Sequence, residues 1–215
     1  TNVNKDWSRN KNKDLPDPLK VIGFTYRRQI LNKKNLIVEG QSDQTLLVDI
    51  SKLFSESGLR SIKLQDISIF PAGGAENTVS FGLLARSEEL KAAILVDHDS
   101  AGDAAKNKAR NTDLTVVTLR EASGVANSNR VTIEDFLPFR KYLKAINISH
   151  KIHYGNDWVD LKETDVSSNP PVVGKIEEKI RENLKDPDLK DPIKKDLAAQ
   201  TLLDNEEINL TIRDF

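Results

Sequence analysis

The amino-acid sequence predicts an α/β protein, with a parallel central sheet flanked by helices and a C-terminal helical appendage. Two observations carry this. Four short β-rich runs, Asn35 to Gly40, Ile67 to Phe70, Ala92 to Val96 and Leu114 to Leu119, alternate with stretches of helical periodicity over short connections. That β-α-β-α-β-α-β order is the one that builds a parallel sheet. The run Ala92 to Val96 is also continuously apolar rather than alternating, as suits a strand covered on both faces.

Residues 1–34 are expected to form a tail and a lead-in helix. Thr1 to Leu19 is polar, with Trp7 alone among the charges, and Phe24 to Leu31 has a short helical pattern. Arg27, Arg28, Lys33 and Lys34 make a small basic cluster; a solvated face is its ordinary role, and contact with phosphate its sharper one. The α/β domain is expected over 35–148. Its first strand, NLIVEG, ends in Glu39-Gly40 and enters a helix with Leu46, Leu47, Ile50, Leu53 and Phe54 on one face. Ser42 reads as its N-cap and Gly58 as its stop. Asp43 falls in the first turn, where it complements the helix dipole or stands as a second carboxylate beside Glu39.

The second strand closes in PAGGAEN, whose paired glycines permit a tight turn and a close backbone approach. A helix over Thr78 to Arg86 follows, with Val79, Leu83 and Leu84 inward. The third strand then breaks into Asp97, His98 and Asp99. Side chains at i and i+2 of an extended chain point the same way, so the two carboxylates share a side and His98 takes the other. Loops at the carboxyl ends of parallel strands are where function collects, and a paired-Asp edge suits a hard divalent cation. Capping of the next helix is the plainer alternative. That helix is alanine-rich (Ala101, Ala104, Ala105, Ala109) and can lie close on the sheet.

Ala122 to Arg130 reads as a loop leading into VTIEDFLP, where Glu134 and Asp135 sit in an apolar frame. Unpaired buried carboxylates are costly, so one of them must face water, pair with a cation or bind metal. Phe139 to Ile148 reads as a helix. Residues 149–215 are expected to form a C-terminal connection and helical subdomain: a polar stretch carrying His150 and His153, a helix over Lys175 to Leu184 with Ile176, Ile180 and Leu184 inward, and a last helix over Ile193 to Leu203 holding Lys194 and Lys195.

Composition narrows the function. The 215 residues are 38% apolar and 30% charged, enough for one good-sized domain with a core. No apolar run reaches membrane-spanning length, and the absence of cysteine excludes a disulfide framework, a thiolate metal site and a cysteine nucleophile. A cytoplasmic protein with no membrane partner is the expectation. Three histidines are too few for a convincing zinc site. The net charge of −1 argues mildly against a nucleic-acid binder, but an acidic metal site subtracts charge that bound cations restore.

Glu39 after the first strand, PAGGAEN, Asp97/Asp99 and TIEDFLP together resemble the Toprim domain of topoisomerases, primases and recombination nucleases. Within it, LIVEGQSDQTLL, FPAGGAENTVSFGLL, ILVDHDSAGDAA and VTIEDFLP are most similar, in that order, to segments of the OLD (overcoming lysogenisation defect) nucleases, relatives of which act in phage defence. The resemblance covers Leu36 to Tyr142 well and the C-terminal helices loosely. It implies a Toprim-like catalytic domain over 35–148 and a DNA endonuclease using two Mg²⁺ or Mn²⁺ ions. Carried over by position, Glu39, Asp43 and Asp97 would hold one ion with Asp99 in support, and Thr132 and Glu134 the second. It also implies a catalytic lysine in the C-terminal helices, for which Lys195 is the candidate, Lys194 its neighbour and Lys175 the reserve. DNA is the implied partner, a homodimer is open to such a domain, and an ATPase domain or subunit would be a partner if the chain is a fragment. No GxxxxGK[ST] phosphate loop is present.

The chemistry fits the residue types. Two cations roughly 3.5–4 Å apart can activate a water and stabilise the leaving oxygen of a phosphodiester, and a lysine can meet charge that builds in the transition state. A topoisomerase would need a tyrosine nucleophile, and Tyr26, Tyr142 and Tyr154 lie in no context for one. A primase would need further subdomains. The rival of another class is a Toprim-shaped module that binds DNA or protein without cutting; an aspartate-based phosphatase or receiver explains Glu39 and Glu134 less well.

Overall fold

The structure, a computed structural model, describes residues 34–123, 130–169, 171–190, 192–205, 207–208 and 210–215. The expected tail and lead-in helix, and most of the loop before VTIEDFLP, lie outside these residues.

Four strands, β1 (Lys34–Val38), β2 (Ile67–Pro71), β3 (Lys91–Val96) and β4 (Thr115–Thr118), form one parallel sheet in the order β2-β1-β3-β4. Helices α1 (Gln41–Glu56), α2 (Ala75–Ser87) and α3 (Ser100–Ala109) connect them. The alternation of apolar runs and helical patterns thus reads correctly as a parallel α/β sheet. All four strands deliver their carboxyl ends to one edge. In register, Ile37 of β1 lies beside Ile94 of β3, so Glu39 and Asp97 leave the sheet as neighbours.

Helices α2 and α3 pack together over Ile37, Phe70, Ile94 and Val96, closing one core around Phe81. After β4 comes a short helix, α4 (Leu119–Ser123), and then a 3-10 turn at Ile133–Phe136, where VTIEDFLP had been read without a secondary structure. Helices α5 (Phe139–Tyr154), α6 (Val172–Leu184) and α7 (Lys195–Asp204) build a second core around Tyr142, Ile146, Ile176, Ile180 and Leu202. Leu46 of α1 belongs to that second core, so α1 joins the sheet to the C-terminal helices.

Several local expectations are corrected. The N-cap of α1 is Gly40, not Ser42, which is the second residue of the helix and buried. Leu83 of α2 is 44% exposed; the inward stripe is Ala75, Thr78, Val79, Gly82 and Ala85. A Cβ on Gly82 would come within 2.9 Å of Ile94 Cδ1 and Leu114 Cδ1, so the helix sits close on those methyl ends, and the stripe runs through a glycine that apolar periodicity does not count. In α3 the buried residues are Gly102, Ala105 and Ala109, while Ala101 and Ala104 are exposed. Helix α5 runs past Ile148 to Tyr154 and stops at Gly155, whose φ is +61°. His150 is therefore a fully buried helical residue rather than part of a polar connection. Among the described residues, no helix is long and apolar enough to cross a membrane.

Candidate metal centre

Glu39 is the first residue past β1, and its Oε1 accepts a 2.8 Å hydrogen bond from the backbone N–H of Asp97. The glycine turn reinforces this end of the sheet: Ala72 N–H donates to the Val38 carbonyl at 2.9 Å and Gly74 N–H to the Glu39 carbonyl at 2.8 Å. Gly73 and Gly74 take φ of +74° and +130°, values that side-chain-bearing residues rarely adopt. Asp43, in the first turn of α1, accepts from the Gly40 N–H through Oδ2 at 2.8 Å. Its capping role is real, and it faces the other acids as well.

Asp97 and Asp99 part company. Asp99 caps α3, its Oδ1 accepting from Ala101 and Gly102 N–H, both at 2.9 Å, so the plainer reading describes that oxygen, while the Asp99 charge also helps to raise Glu39. Asp97 stands among other charges. Its loop is pinned by α3: a Cβ on Gly102 would lie 2.0 Å from the Asp97 carbonyl oxygen, so only glycine permits this approach. His98 bridges across to Val131, His98 N–H donating to the Val131 carbonyl at 2.8 Å and Val131 N–H returning at 3.0 Å. That pairing carries Thr132 and Glu134 to the same edge as Asp97.

Thr132 is fully buried and Glu134 is 2% exposed. The Thr132 hydroxyl has no hydrogen-bond partner, and neither has Oε2 of Glu134. What Glu134 has is an ion pair, 3.0 Å from Oε1 to the Lys195 Nζ at the start of α7. Asp135, its neighbour, is satisfied structurally: Oδ2 accepts from Thr132 N–H at 2.9 Å and Oδ1 from Val172 N–H at 2.7 Å. It ties the turn to α6, and the choice left open between the two acids falls to Glu134 as the one facing a cation.

The electrostatics show that these residues form one group. Burial pushes Asp97 up to about 8; Lys195 opposes that shift, and Glu134, Asp43 and Glu39 add to it. Burial raises Glu39 to about 7 and Asp43 to about 6, partly offset by the N–H donors of Asp97 and Gly40. Burial works to lower the Lys195 ammonium, but Glu134, Asp97 and Asp43 together hold it above its ordinary value. Asp196, beside Lys195, adds to the repulsion on Asp43. Sequence reading missed this fifth acid, whose only signal was its place next to the candidate lysine. The reserve, Lys175, is engaged elsewhere, donating to the Asn169 carbonyl at 2.7 Å, and Lys194 stands at the N-cap position of α7 with no side-chain cap bond.

Among the described residues, no three acidic or histidine side chains form a ready-made cage for an ion. The donor set nevertheless suits a hard divalent cation: carboxylates held protonatable by mutual repulsion and burial, plus buried carboxylate and hydroxyl oxygens lacking hydrogen bonds. Lys195 supplies the positive charge as the side chains stand.

Residues 30–99, about a third of the chain, match the family described as "Overcoming lysogenization defect protein-like, TOPRIM domain". A solved structure described as the C-terminal region of the Xanthomonas campestris pv. campestris OLD protein is similar at 14% identity and a TM-score of 0.42, over 86% of this chain and 90% of that one. No curated protein matches the chain.

Proposed function

With an OLD-like Toprim domain matched over residues 30–99, we propose that this chain is a divalent-metal-dependent DNA endonuclease that hydrolyses phosphodiester bonds with two Mg²⁺ or Mn²⁺ ions. The observation that carries the reading is Glu134, a buried carboxylate whose Oε2 has no hydrogen-bond partner, gathered with Glu39, Asp43 and Asp97 around one lysine. A chain does not bury mutually repelling carboxylates for stability, since each one costs free energy unless a cation offsets it. Bound divalent ions would polarise the phosphodiester and supply an activated water.

The chain's own residues do the rest. Glu39, Asp43 and Asp97 would hold the first ion, and Thr132 and Glu134 the second. Asp99 keeps the Asp97 loop seated by capping α3, and the Asp97 N–H fixes the orientation of the Glu39 carboxylate. Lys195, charged at every working pH, is the donor that meets negative charge building on the phosphate oxygens. DNA is the proposed substrate and partner, foreign DNA encountered in phage defence the first to try, and an ATPase domain or subunit the proposed regulator.

One observation favours a second reading, a non-catalytic Toprim-shaped module binding DNA or protein. The Lys195–Glu134 pair already neutralises a would-be ligand, and an ammonium can replace a metal permanently. Mn²⁺ calorimetry combined with plasmid cleavage separates the two. The nuclease reading expects Mn²⁺ binding and cleavage in the wild type, with both lost in Asp97→Ala and Glu39→Ala. Heat of binding that is absent from the wild type, or cleavage that survives both substitutions, rejects it.

A further inference from the structure

The lysine at the centre of the carboxylate group is the first residue of its helix, a position where side-chain direction depends on how the chain enters. At Lys194, the N-cap, no side-chain cap bond holds the helix start. The fixing comes from 44 residues earlier. His150 Nε2 accepts a 2.9 Å hydrogen bond from the Lys194 N–H. Because a backbone N–H can only donate, Nε2 carries no proton. The proton is on Nδ1, which lies 2.9 Å from Ser149 Oγ, and that hydroxyl is placed to donate to the Ile146 carbonyl at 3.2 Å. The tautomer is thus set by a chain of bonds running back into α5.

The ring itself cannot swing away. It is fully buried, 5.1 Å from the Trp158 ring and 5.8 Å from that of Tyr154. The Tyr154 hydroxyl takes hold of the same lead-in, donating to the Pro192 carbonyl at 3.0 Å. Burial also lowers the imidazole to about 4, keeping it neutral and able to accept at physiological pH.

We propose that His150 is a positioning residue for Lys195: its Nε2 anchors the Lys194 N–H and so aims the lysine ammonium at Glu134. The inference rests on the nuclease reading only for its effect on cleavage, not for the geometry. A His150 that merely fills the core would be replaceable by leucine at some cost in stability while Lys195 kept its place. A positioning role predicts a different pattern. Glutamine places an acceptor oxygen near the position of Nε2, leucine has none, and asparagine falls short.

The test uses the full chain with His150→Leu, His150→Gln and His150→Asn, and follows the NMR chemical shifts of the Lys195 side-chain carbons and their protons at one neutral pH, assigned with Lys195→Arg. In His150→Leu those shifts are expected to move to the values of solvated lysines, as the ammonium separates from Glu134, and in His150→Gln to stay at their wild-type values. Should His150→Leu not fold, His150→Asn serves as the loss variant against His150→Gln. Plasmid cleavage in Mn²⁺ is expected to show kcat reduced about tenfold or more with KM unchanged in the loss variant, and restored to within about threefold by glutamine.

A Lys195 signature unmoved in the loss variant, or displaced equally by glutamine, overturns the proposal. A wild type that cleaves nothing while the NMR pattern holds removes the nuclease reading and leaves the positioning role standing.

Discussion

Asp97, Glu39 and Asp43 are all held above their ordinary range, first by burial. Their folded-state pKa values exceed the unfolded ones, so between about pH 4 and 8 the folded chain binds more protons than the unfolded chain. Stability without metal must then fall as pH rises through that window. His150 has the opposite sign: lowered to about 4, it contributes stability that grows between about pH 4 and its unfolded value. Three carboxylates outweigh one imidazole, and above the histidine's unfolded value they act alone. The thermal midpoint in EDTA is expected to fall from pH 5.5 to 8. Mn²⁺ affinity, which requires those protons to leave, is expected to rise over the same interval. A midpoint flat with pH in EDTA, measured by calorimetric scans, would contradict the burial that raises these groups. At this scale much was readable: Glu39, Asp43, Asp97 and Glu134 were each picked out by type and place. The division of labour inside acidic pairs was not. Asp135 spends both oxygens, and Asp99 its Oδ1, on backbone N–H groups, and which acid of a pair does so depends on where helices begin.

The elements that hold the centre depend on two glycines that look alike in sequence. Gly82 and Gly102 both lie buried in helices, yet a Cβ at Gly82 meets side-chain methyls whereas one at Gly102 meets the Asp97 carbonyl at 2.0 Å. Methyl ends yield; a backbone carbonyl at a strand end does not. Gly102→Ala is expected to cost about 1–3 kcal/mol, the usual range for overpacking, which lowers the midpoint by several degrees in a chain this long. It should also weaken Mn²⁺ binding by moving the Asp97 loop. Gly82→Ala should cost less, because its neighbours repack and alanine favours the helix, and it should leave Mn²⁺ binding unchanged. Thermal scans and calorimetry on the two variants check both statements. Periodicity found every helix from α1 to α7 except the short α4, but it placed Leu83, Ala101 and Ala104 inward. It weighs apolar residues and has no weight for a glycine that lets two elements touch.

The whole molecule is two cores, and α1, part of the second, also packs on β2 of the sheet. One lies between the sheet and α2/α3, and the other joins Leu46 of α1 to α5, α6 and α7. The site straddles them, with Glu39 and Asp97 from the sheet and Lys195 from the last long helix. Such sharing predicts one cooperative unfolding transition. In urea, the helical signal by circular dichroism and the fluorescence of Trp158, buried in the second core, should give the same midpoint once Trp7 is replaced by Phe. Two separated midpoints would mean that the C-terminal helices fold apart from the sheet. The sequence by itself determined the sheet, the order of its strands along the chain and the acids at their ends, because those follow from local apolar runs and from the single edge at which parallel strands finish. Only the tertiary structure decided that His150 is a buried anchor, that Lys195 rather than Lys175 reaches the acids, and that Glu134 rather than Asp135 faces it. Each of these depends on which groups of distant segments come within hydrogen-bonding range, and no spacing along the chain encodes that distance.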